Sequence, residues 1–201
     1  MQEQQSTTNQ GSSLWIGLDS YKESNSGIFF GRDDEIRQLS GDIFNNIQTV
    51  IYGPSGTGKT SIIRAGIFKI ARANRYLPVY VRLNHSTGSK SYTQQIIDAI
   101  KDEADKYNID IENTSPYIKG DVCQSLWEYF HCNEFWNEEN YPVVPLIVVD
   151  QFEEIFTLGK NLLLQPDFFI QLSDLCDNKY PQYVIDYLND RNNERIEYPE
   201  T

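Results

Sequence analysis

The chain has few of the residues that form disulfide bridges or zinc sites. Its 201 residues include only three cysteines and two histidines. Cys123, Cys132 and Cys176 are far apart and form no Cys-x-x-Cys pair, and His85 and His131 are equally isolated. An odd, scattered set of cysteines predicts reduced thiols in a cytoplasmic protein, and this spacing of Cys and His does not match a zinc site.

Positive charge and long apolar runs are also scarce. The formal net charge is −12, with 17 Lys and Arg against 29 Asp and Glu. This balance argues against sequence-independent binding of nucleic acid and against an anionic membrane surface. No apolar run approaches the ~20 residues of a membrane span, and the opening MQEQQSTTNQGSS lacks the apolar region of a secretory signal. We therefore expect a cytoplasmic protein that binds neither membranes nor nucleic acid.

The apolar pattern divides the chain into a polar tail, a lead-in, a core and a polar end. Their boundaries are 1–13, 14–46, 47–188 and 189–201. Three apolar stretches in the core predict strands, at residues 47–52, 79–83 and 145–150. Helices are predicted from about residue 33 and over 59–73, 92–107, 122–130 and 168–176, with a loop over 131–145. Three strands alternating with helices predict an α/β domain with a parallel sheet.

The stretch after the first predicted strand, GPSGTGKT, fits the phosphate-binding pattern G-x-x-x-x-G-K-[ST]. Its glycines let the backbone turn tightly near an anion, and the loop amides and the following helix N-terminus direct partial positive charge at phosphate. Lys59 would reach the β- and γ-phosphates and is a candidate catalytic residue. The Thr60 hydroxyl would bind Mg²⁺. The nucleotide-binding residues are expected to be Gly53, Pro54, Ser55, Gly56, Thr57, Gly58, Lys59, Thr60 and Ser61.

A second stretch, PLIVVDQFEEIF, places an acid at the end of an apolar strand. Mg²⁺ prefers carboxylate oxygen, and a strand parallel to the one before the phosphate loop would bring its terminal acid beside that metal. Asp150 is therefore the Walker B candidate and the expected metal ligand. Gln151 follows it directly and cannot take a proton, so the acid that orients an attacking water must come later.

Glu153 and Glu154 are the candidates for that catalytic acid. If a helix starts near Phe152, its buried stripe consists of Phe152, Ile155 and Phe156. Glu153 then lies at the border of the stripe, and Glu154 points almost opposite to it. Glu153 is the first candidate and Glu154 the second. The alternative is that both acids only stabilise the first turn of a helix through its dipole.

Three blocks together resemble the nucleotide-binding region of STAND ATPases, the signal-transduction class that includes NACHT and NB-ARC proteins. They are GLDSYKESNSGIFFGRDDEI, GPSGTGKTSIIRAGI and LIVVDQFEEIFTL, and they are most similar to the bacterial novel STAND branch. The resemblance implies an ASCE-type P-loop NTPase, a three-layer sandwich with a parallel sheet, that uses ATP or ADP with Mg²⁺. The sequence after Asp150 is also similar to the NACHT pattern, in which acids stand three and four residues after the metal aspartate. This similarity favours Glu153.

The resemblance further implies that Phe30, Gly31 and Arg32 lie near the adenine base. Alternatively, they form a helix-capping turn with a surface arginine. Members of the class act as switches in signalling, and in bacteria often in antiphage defence, where ATP binding opens and oligomerises the protein and slow hydrolysis resets it. Expected partners are therefore nucleotide, further copies of the chain, or the winged-helix, sensor-repeat and effector parts of a STAND protein.

The sequence ends about where the family pattern continues with a sensor strand. We therefore interpret the chain as an N-terminal part of a nucleotide-binding domain, and expect ATP hydrolysis from the intact protein rather than from this chain alone. Two other functions stay open. One is a catalytically incompetent nucleotide- or partner-binding module that assembles through its acidic surface and the aromatics around Trp127 and Trp136. The other is an ATPase similar to origin-recognition proteins and helicase loaders, against which the negative charge argues.

Overall fold

A computed structural model describes residues 19–114, 125–158 and 166–194. The predicted polar tail, the beginning of the helix predicted at residue 122, Cys123 and the last seven residues lie outside these ranges. The chain divides into two compact units, Met1–Ile70 and Ala71–Thr201. Within the described ranges, no helix is both long enough and apolar enough to cross a membrane.

The regular secondary structure described in the first unit is helical, and its last helix ends three residues past the boundary at Ile70. It contains a 3₁₀ helix at Glu23–Ile28 and helix α1 at Asp33–Asn45. A continuous helical run then follows the phosphate loop as α2 (Lys59–Ser61), a π-helical segment (Ile62–Ile67) and α3 (Phe68–Ala73). The predicted starts near residues 33 and 59 are confirmed. Three acids in the first turn of α1 lie where the helix dipole favours negative charge.

The π-helical segment packs against α1 at a glycine. A Cβ atom built on Gly66 would lie only 2.7 Å from two side-chain carbons of Ile36 in α1. This is closer than side chains approach each other, so only glycine lets the two helices come together at this point. The glycine of the Arg-Ala-Gly stretch after the phosphate loop therefore has a packing role.

The strand predicted at residues 47–52 is absent from the described part of the first unit. These residues join no β-ladder there, and Ile47, Val50 and Tyr52 are 84%, 73% and 91% exposed. A strand needs a neighbour that pairs its backbone and a packed layer that covers its side chains. The described residues supply neither to this segment, so apolar composition alone led to a wrong prediction.

Two pairs of strands form in the second unit. Strand β1 (Tyr76–Arg82) pairs in parallel with β4 (Val144–Asp150), from Tyr76 opposite Val144 to Arg82 opposite Asp150. The predicted parallel sheet is therefore confirmed for two of its three strands. Strands β2 (Asp110–Asn113) and β3 (Asn133–Trp136) form an antiparallel pair that was not predicted.

Strand β3 corrects the loop predicted over residues 131–145. Its sequence, NEFW, carries no clear alternation that marks a strand, and only Phe135 in it is buried. Short strands of this kind are formed by their cross-strand partners more than by their own propensity. The partner here lies more than twenty residues earlier in the chain, which is why a local reading missed both strands.

The described part of the second unit also contains five helices that lie wholly within it. They are α4 (Tyr92–Lys106), α5 (Leu126–Cys132), α6 (Glu154–Thr157), α7 (Pro166–Asp177) and α8 (Gln182–Glu194). Ser91 caps α4 by accepting a hydrogen bond from the backbone amide of Gln94, which explains why this helix starts where it was predicted. Helix α8 continues five residues beyond residue 189, where a polar end segment was predicted to begin.

The hydrophobic core lies on one face of β1. Leu77, Val79 and Val81 alternate along the strand and pack with Ile96 and Ile100 of α4. Because side chains of a strand alternate between its faces, the even-numbered residues lie on the other side. The described residues thus form a mixed α/β fold with a parallel strand pair. The complete three-layer sandwich stays a prediction.

Candidate functional site

The phosphate loop in the first unit has the backbone that its glycines predict. Gly56 and Gly58 have φ angles of 80° and 85°, in the left-handed region where any side chain causes strain. Helix α2 begins directly after Gly58, whose carbonyl accepts the first helical hydrogen bond, from the Ile62 amide at 2.9 Å. Residues 53–57 are exposed, so the loop is open to a ligand.

The Lys59 side chain folds back over this loop. Its ammonium donates hydrogen bonds to the backbone carbonyls of Gly53, at 2.8 Å, and of Pro54, at 3.0 Å. The Thr57 hydroxyl also donates to the Pro54 carbonyl, at 2.9 Å. The positive charge is therefore held at the loop, within the curve formed by residues 53–58.

Ser61, predicted to contact nucleotide, binds the lead-in segment in this structure. Its side chain is buried, and its hydroxyl accepts a hydrogen bond from the backbone amide of Tyr21 at 3.1 Å. The Tyr21 ring in turn lies 5.3 Å from that of Phe29. Ser61 thus attaches the lead-in to the start of the helical run, and its contact with nucleotide stays a prediction, as does that of Thr60.

The predicted base-side segment reaches the phosphate loop through its arginine. One Arg32 nitrogen donates to the Thr57 carbonyl at 3.2 Å, and another pairs with Glu35 at 3.0 Å. Backbone hydrogen bonding and the Arg32 contact hold the pKa of Glu35 below its usual value. Gly31 has a φ of 80°, and the Phe30 ring is 77% exposed beside it. Arg32 also occupies the N-cap position of α1, without a side-chain capping bond.

Asp150 lies at the carboxyl end of β4 in the second unit. The Tyr80 hydroxyl donates a hydrogen bond to Asp150 Oδ2 at 2.7 Å. Tyr80 and Arg82 project from the face of β1 opposite the core, and Arg82 is the ladder partner of Asp150. Parallel strands end at the same edge of a sheet, so the ends of these two strands bring one carboxylate, one phenol and one guanidinium together.

Glu154 is held by a cation, whereas Glu153 is not. Arg82 donates to Glu154 Oε1 at 3.0 Å, and His85 Nε2 lies 4.0 Å from the other carboxylate oxygen. His85 is itself fixed by the Tyr92 hydroxyl at 2.8 Å from Nδ1. Glu153 is exposed, and in the described ranges its carboxylate makes no hydrogen bond or ion pair.

The geometry of this acidic turn differs from the predicted helix. Gln151 has a φ of 54°, so residues 151–153 form a turn and α6 begins only at Glu154. Because the helix begins two residues later than predicted, Ile155 is buried as predicted but Phe156 is 58% exposed. Glu154, predicted to point away from the stripe, is half-buried against Arg82. The stripe prediction is therefore wrong for Phe156 and for Glu154.

Sequence reasoning missed Tyr80, Arg82 and His85. The first two stand at alternate positions near the carboxyl end of VYVRL, where a polar side chain on the face away from the core was a usable signal. His85 gave no signal of its own, because its contacts come from Tyr92 and from the distant Glu154.

Comparison with models of known protein families defines the class of this chain. Residues 15–201 match the model of a family of STAND NTPases. Since the match spans nearly the whole sequence, the chain belongs to the family described as Novel STAND NTPase 1. No curated protein and no solved structure matches the chain. Membership confirms the resemblance to STAND proteins, and an NTPase family implies the use of nucleotide.

Proposed function

We propose that this chain is the ATP-binding switch module of a STAND-type signalling or antiphage-defence ATPase. The phosphate loop carries the proposal, because it combines two left-handed glycines, a helix start and the Lys59 ammonium held over carbonyls of the same loop. These groups suit an anion, since backbone amides, helix dipole and ammonium act together on bound phosphates. Residues 53–61 would hold the phosphates, and Phe30, Gly31 and Arg32 the side of the base.

The residues proposed for Mg²⁺ are Thr60 and Asp150. A hydroxyl and a carboxylate are the oxygen ligands that Mg²⁺ prefers, together with waters and phosphate oxygens. Bound Mg²⁺ supplies positive charge that neutralises the transferring phosphoryl group. The chain's own part is to present the Asp150 carboxylate at the strand end, where the Tyr80 hydroxyl donates to one of its oxygens.

Glu153 is the residue proposed to orient the attacking water. Its carboxylate is exposed and has no hydrogen-bond partner in the part of the chain that the structure describes. Glu154 is paired with Arg82, so its oxygens already accept from a cation. An acid that accepts a proton must have oxygen free to face water, which favours Glu153 over Glu154.

The test is nucleotide affinity in a matched pair of lysine variants. We expect Lys59→Ala to lose at least about tenfold in affinity for a fluorescent ATP analogue, because a charge-assisted contact with phosphate is removed. Lys69→Ala removes an exposed lysine ten residues further along the same helical run and should bind like the unchanged chain. Equal affinity of Lys59→Ala and Lys69→Ala would reject the assignment of the phosphate loop.

A second candidate is a partner-binding module without hydrolysis. One observation favours it: Trp136 lines a surface groove of ≈ 540 Å³ together with Phe130 and Val143. Trp127, by contrast, is buried and stacks on His131 with ring centroids 3.8 Å apart, which makes it an internal anchor. Loss of assembly in Trp136→Ser, with no effect of replacing both glutamates of the acidic turn, would favour this candidate.

A further inference from the structure

The Tyr80–Asp150 hydrogen bond joins a core strand to the proposed metal ligand. Tyr80 lies opposite Val148 in the parallel ladder, two positions before the Arg82–Asp150 pair. Its hydroxyl nevertheless reaches the strand end and donates to Asp150 Oδ2 at 2.7 Å. That distance is an ordinary one for a hydrogen bond donated by a hydroxyl.

The Tyr80 side chain lies outside the hydrophobic core of the second unit. The buried cluster of the second unit takes Leu77, Val79 and Val81 from β1 and does not include Tyr80. Tyr80 and Asp150 are both half-buried, so water can reach the edge where they meet. A carboxylate there could be solvated, yet it is oriented by a side chain that comes from the neighbouring strand.

The kind of donor matters for a carboxylate that binds a cation. Arg82 is the ladder partner of Asp150, but its guanidinium donates to Glu154 at 3.0 Å. An arginine paired with Asp150 would compete with Mg²⁺ for the same negative charge. A neutral phenol fixes one carboxylate oxygen and leaves the charge of the group in place, as the partners of metal-bound carboxylates commonly do.

We propose that Tyr80 is a positioning residue that orients the Asp150 carboxylate for Mg²⁺ while Arg82 is directed to Glu154. The inference rests on the proposed function, because it takes Asp150 to be the metal ligand. Tyr80 itself does not contact the metal or the nucleotide. Its effect is to raise the affinity of the nucleotide site for Mg²⁺, and it has no part in holding the phosphates.

The experiment separates metal dependence from nucleotide binding. A fluorescent ATP analogue is titrated into the full chain in EDTA and then at rising Mg²⁺ concentrations, and thermal unfolding is followed in parallel. The variants are Tyr80→Phe, Asp150→Asn and, as a control, Tyr141→Phe, which removes a hydroxyl from a half-exposed ring stacked on Arg75 in the same unit. Phenylalanine keeps the ring of Tyr80 and removes only the donor.

We expect Tyr80→Phe to raise the half-saturating Mg²⁺ concentration about tenfold, because it removes one hydrogen bond to a charged acceptor. The affinity measured in EDTA should stay unchanged, and Tyr141→Phe should match the unchanged chain in both measurements. A Tyr80 with only a structural role would lower the melting temperature without moving the Mg²⁺ dependence, and that result would overturn the inference.

The other outcomes distinguish this inference from the proposed function. If Asp150→Asn shifts the Mg²⁺ dependence and Tyr80→Phe does not, the role of Tyr80 is rejected and the Mg²⁺ site stands. If Mg²⁺ changes nucleotide affinity in none of the proteins, or Asp150→Asn behaves like the unchanged chain, the proposed metal site is rejected together with the inference.

Discussion

At the scale of single residues, the two glutamates after Asp150 differ in what surrounds them. Glu154 is 23% exposed and bound by Arg82, whereas Glu153 is exposed to solvent. Both have the same chemistry and stand next to each other, so their roles depend on the turn at Gln151 that sets the direction of each side chain. The turn therefore decides which carboxylate can face a water molecule.

Replacing each glutamate by glutamine should separate catalysis from stability. In the intact STAND protein, we expect Glu153→Gln to lower single-turnover ATP hydrolysis about 100-fold or more with nucleotide affinity unchanged, since general bases contribute factors of this order. Glu154→Gln should keep most of the hydrolysis and lose about 0.5–1 kcal/mol of unfolding free energy, as is usual for a partly exposed ion pair. Rapid-quench kinetics and urea unfolding measure the two quantities. If hydrolysis is lost in Glu154→Gln and kept in Glu153→Gln, Glu154 is the residue that orients the water.

The backbone of the predicted phosphate loop could be anticipated because the pattern is local, whereas its contacts with nucleotide stay a prediction. Eight consecutive residues carry the pattern, and the structure gives its two inner glycines the left-handed backbone that the pattern requires. The surroundings of Asp150 could not be predicted in the same way. Tyr80 stands seventy positions before Asp150, and only the pairing of β1 with β4 shows that their side chains meet.

At the scale of elements, the close contact between α1 and the π-helical segment depends on one missing side chain. The two helices meet where Gly66 faces Ile36. A π-helical turn carries one more residue than an α-helical turn, and such segments are uncommon outside functional or strained sites. This one follows α2, the short helix that begins at Lys59, so the packing of α1 bears on the helical run that starts at the phosphate loop.

Gly66→Ala should destabilise the chain although alanine is the better helix former. The new methyl group would stand 2.7 Å from two carbons of Ile36, and overpacking of this kind costs about 1–3 kcal/mol. That exceeds the gain of about 1 kcal/mol from helix propensity. Urea unfolding gives the difference directly.

Gly41→Ala is the matched control, because a methyl group there meets no atom within 4 Å and α1 should gain up to about 1 kcal/mol. Adding Ile36→Ala to Gly66→Ala should recover part of the loss, since it removes the two carbons that clash. If Gly66→Ala is as stable as Gly41→Ala, the close approach of the two helices is wrong.

Elements with strong local signals were predicted well, and the others depend on distant partners. Helix α4 has both its cap at Ser91 and a regular apolar period, and it forms where predicted. Residues 47–52 have the apolar composition of a strand but are left exposed, whereas β3 has little of that composition and pairs with β2. Whether a segment forms a strand depends on the strands that pair with it and on the side chains that cover it. The sequence of the segment alone does not contain that information.

At the scale of the whole molecule, the net charge of −12 sets conditions for association. Copies of a strongly acidic chain repel each other, and salt screens that repulsion over about 10 Å at 0.1 M ionic strength. The proposed switch would have to overcome the same repulsion in order to oligomerise with ATP. Association should therefore respond to nucleotide and to ionic strength together.

We expect Glu153→Gln with Mg-ATP to form larger species than the same protein with Mg-ADP, because slow hydrolysis keeps ATP bound. The amount of the larger species should rise between about 0.05 M and 0.3 M salt, as screening weakens the repulsion between acidic copies. Light scattering coupled to size-exclusion chromatography measures the mass in each state, and Lys59→Ala is the negative control. A mass that is the same with ATP, with ADP and without nucleotide would contradict a switch based on self-association.

The alternation of side chains along β1 also constrains its length. Leu77, Val79 and Val81 belong to the core, whereas Tyr80 and Arg82, between and after the two valines, contact Asp150 and Glu154. Deleting a single residue before Tyr80 would exchange the two faces, sending a phenol and a guanidinium toward the core and valines toward the two acids. A substitution in the strand changes one side chain, whereas deletion of one residue would disrupt folding and chemistry in the same step.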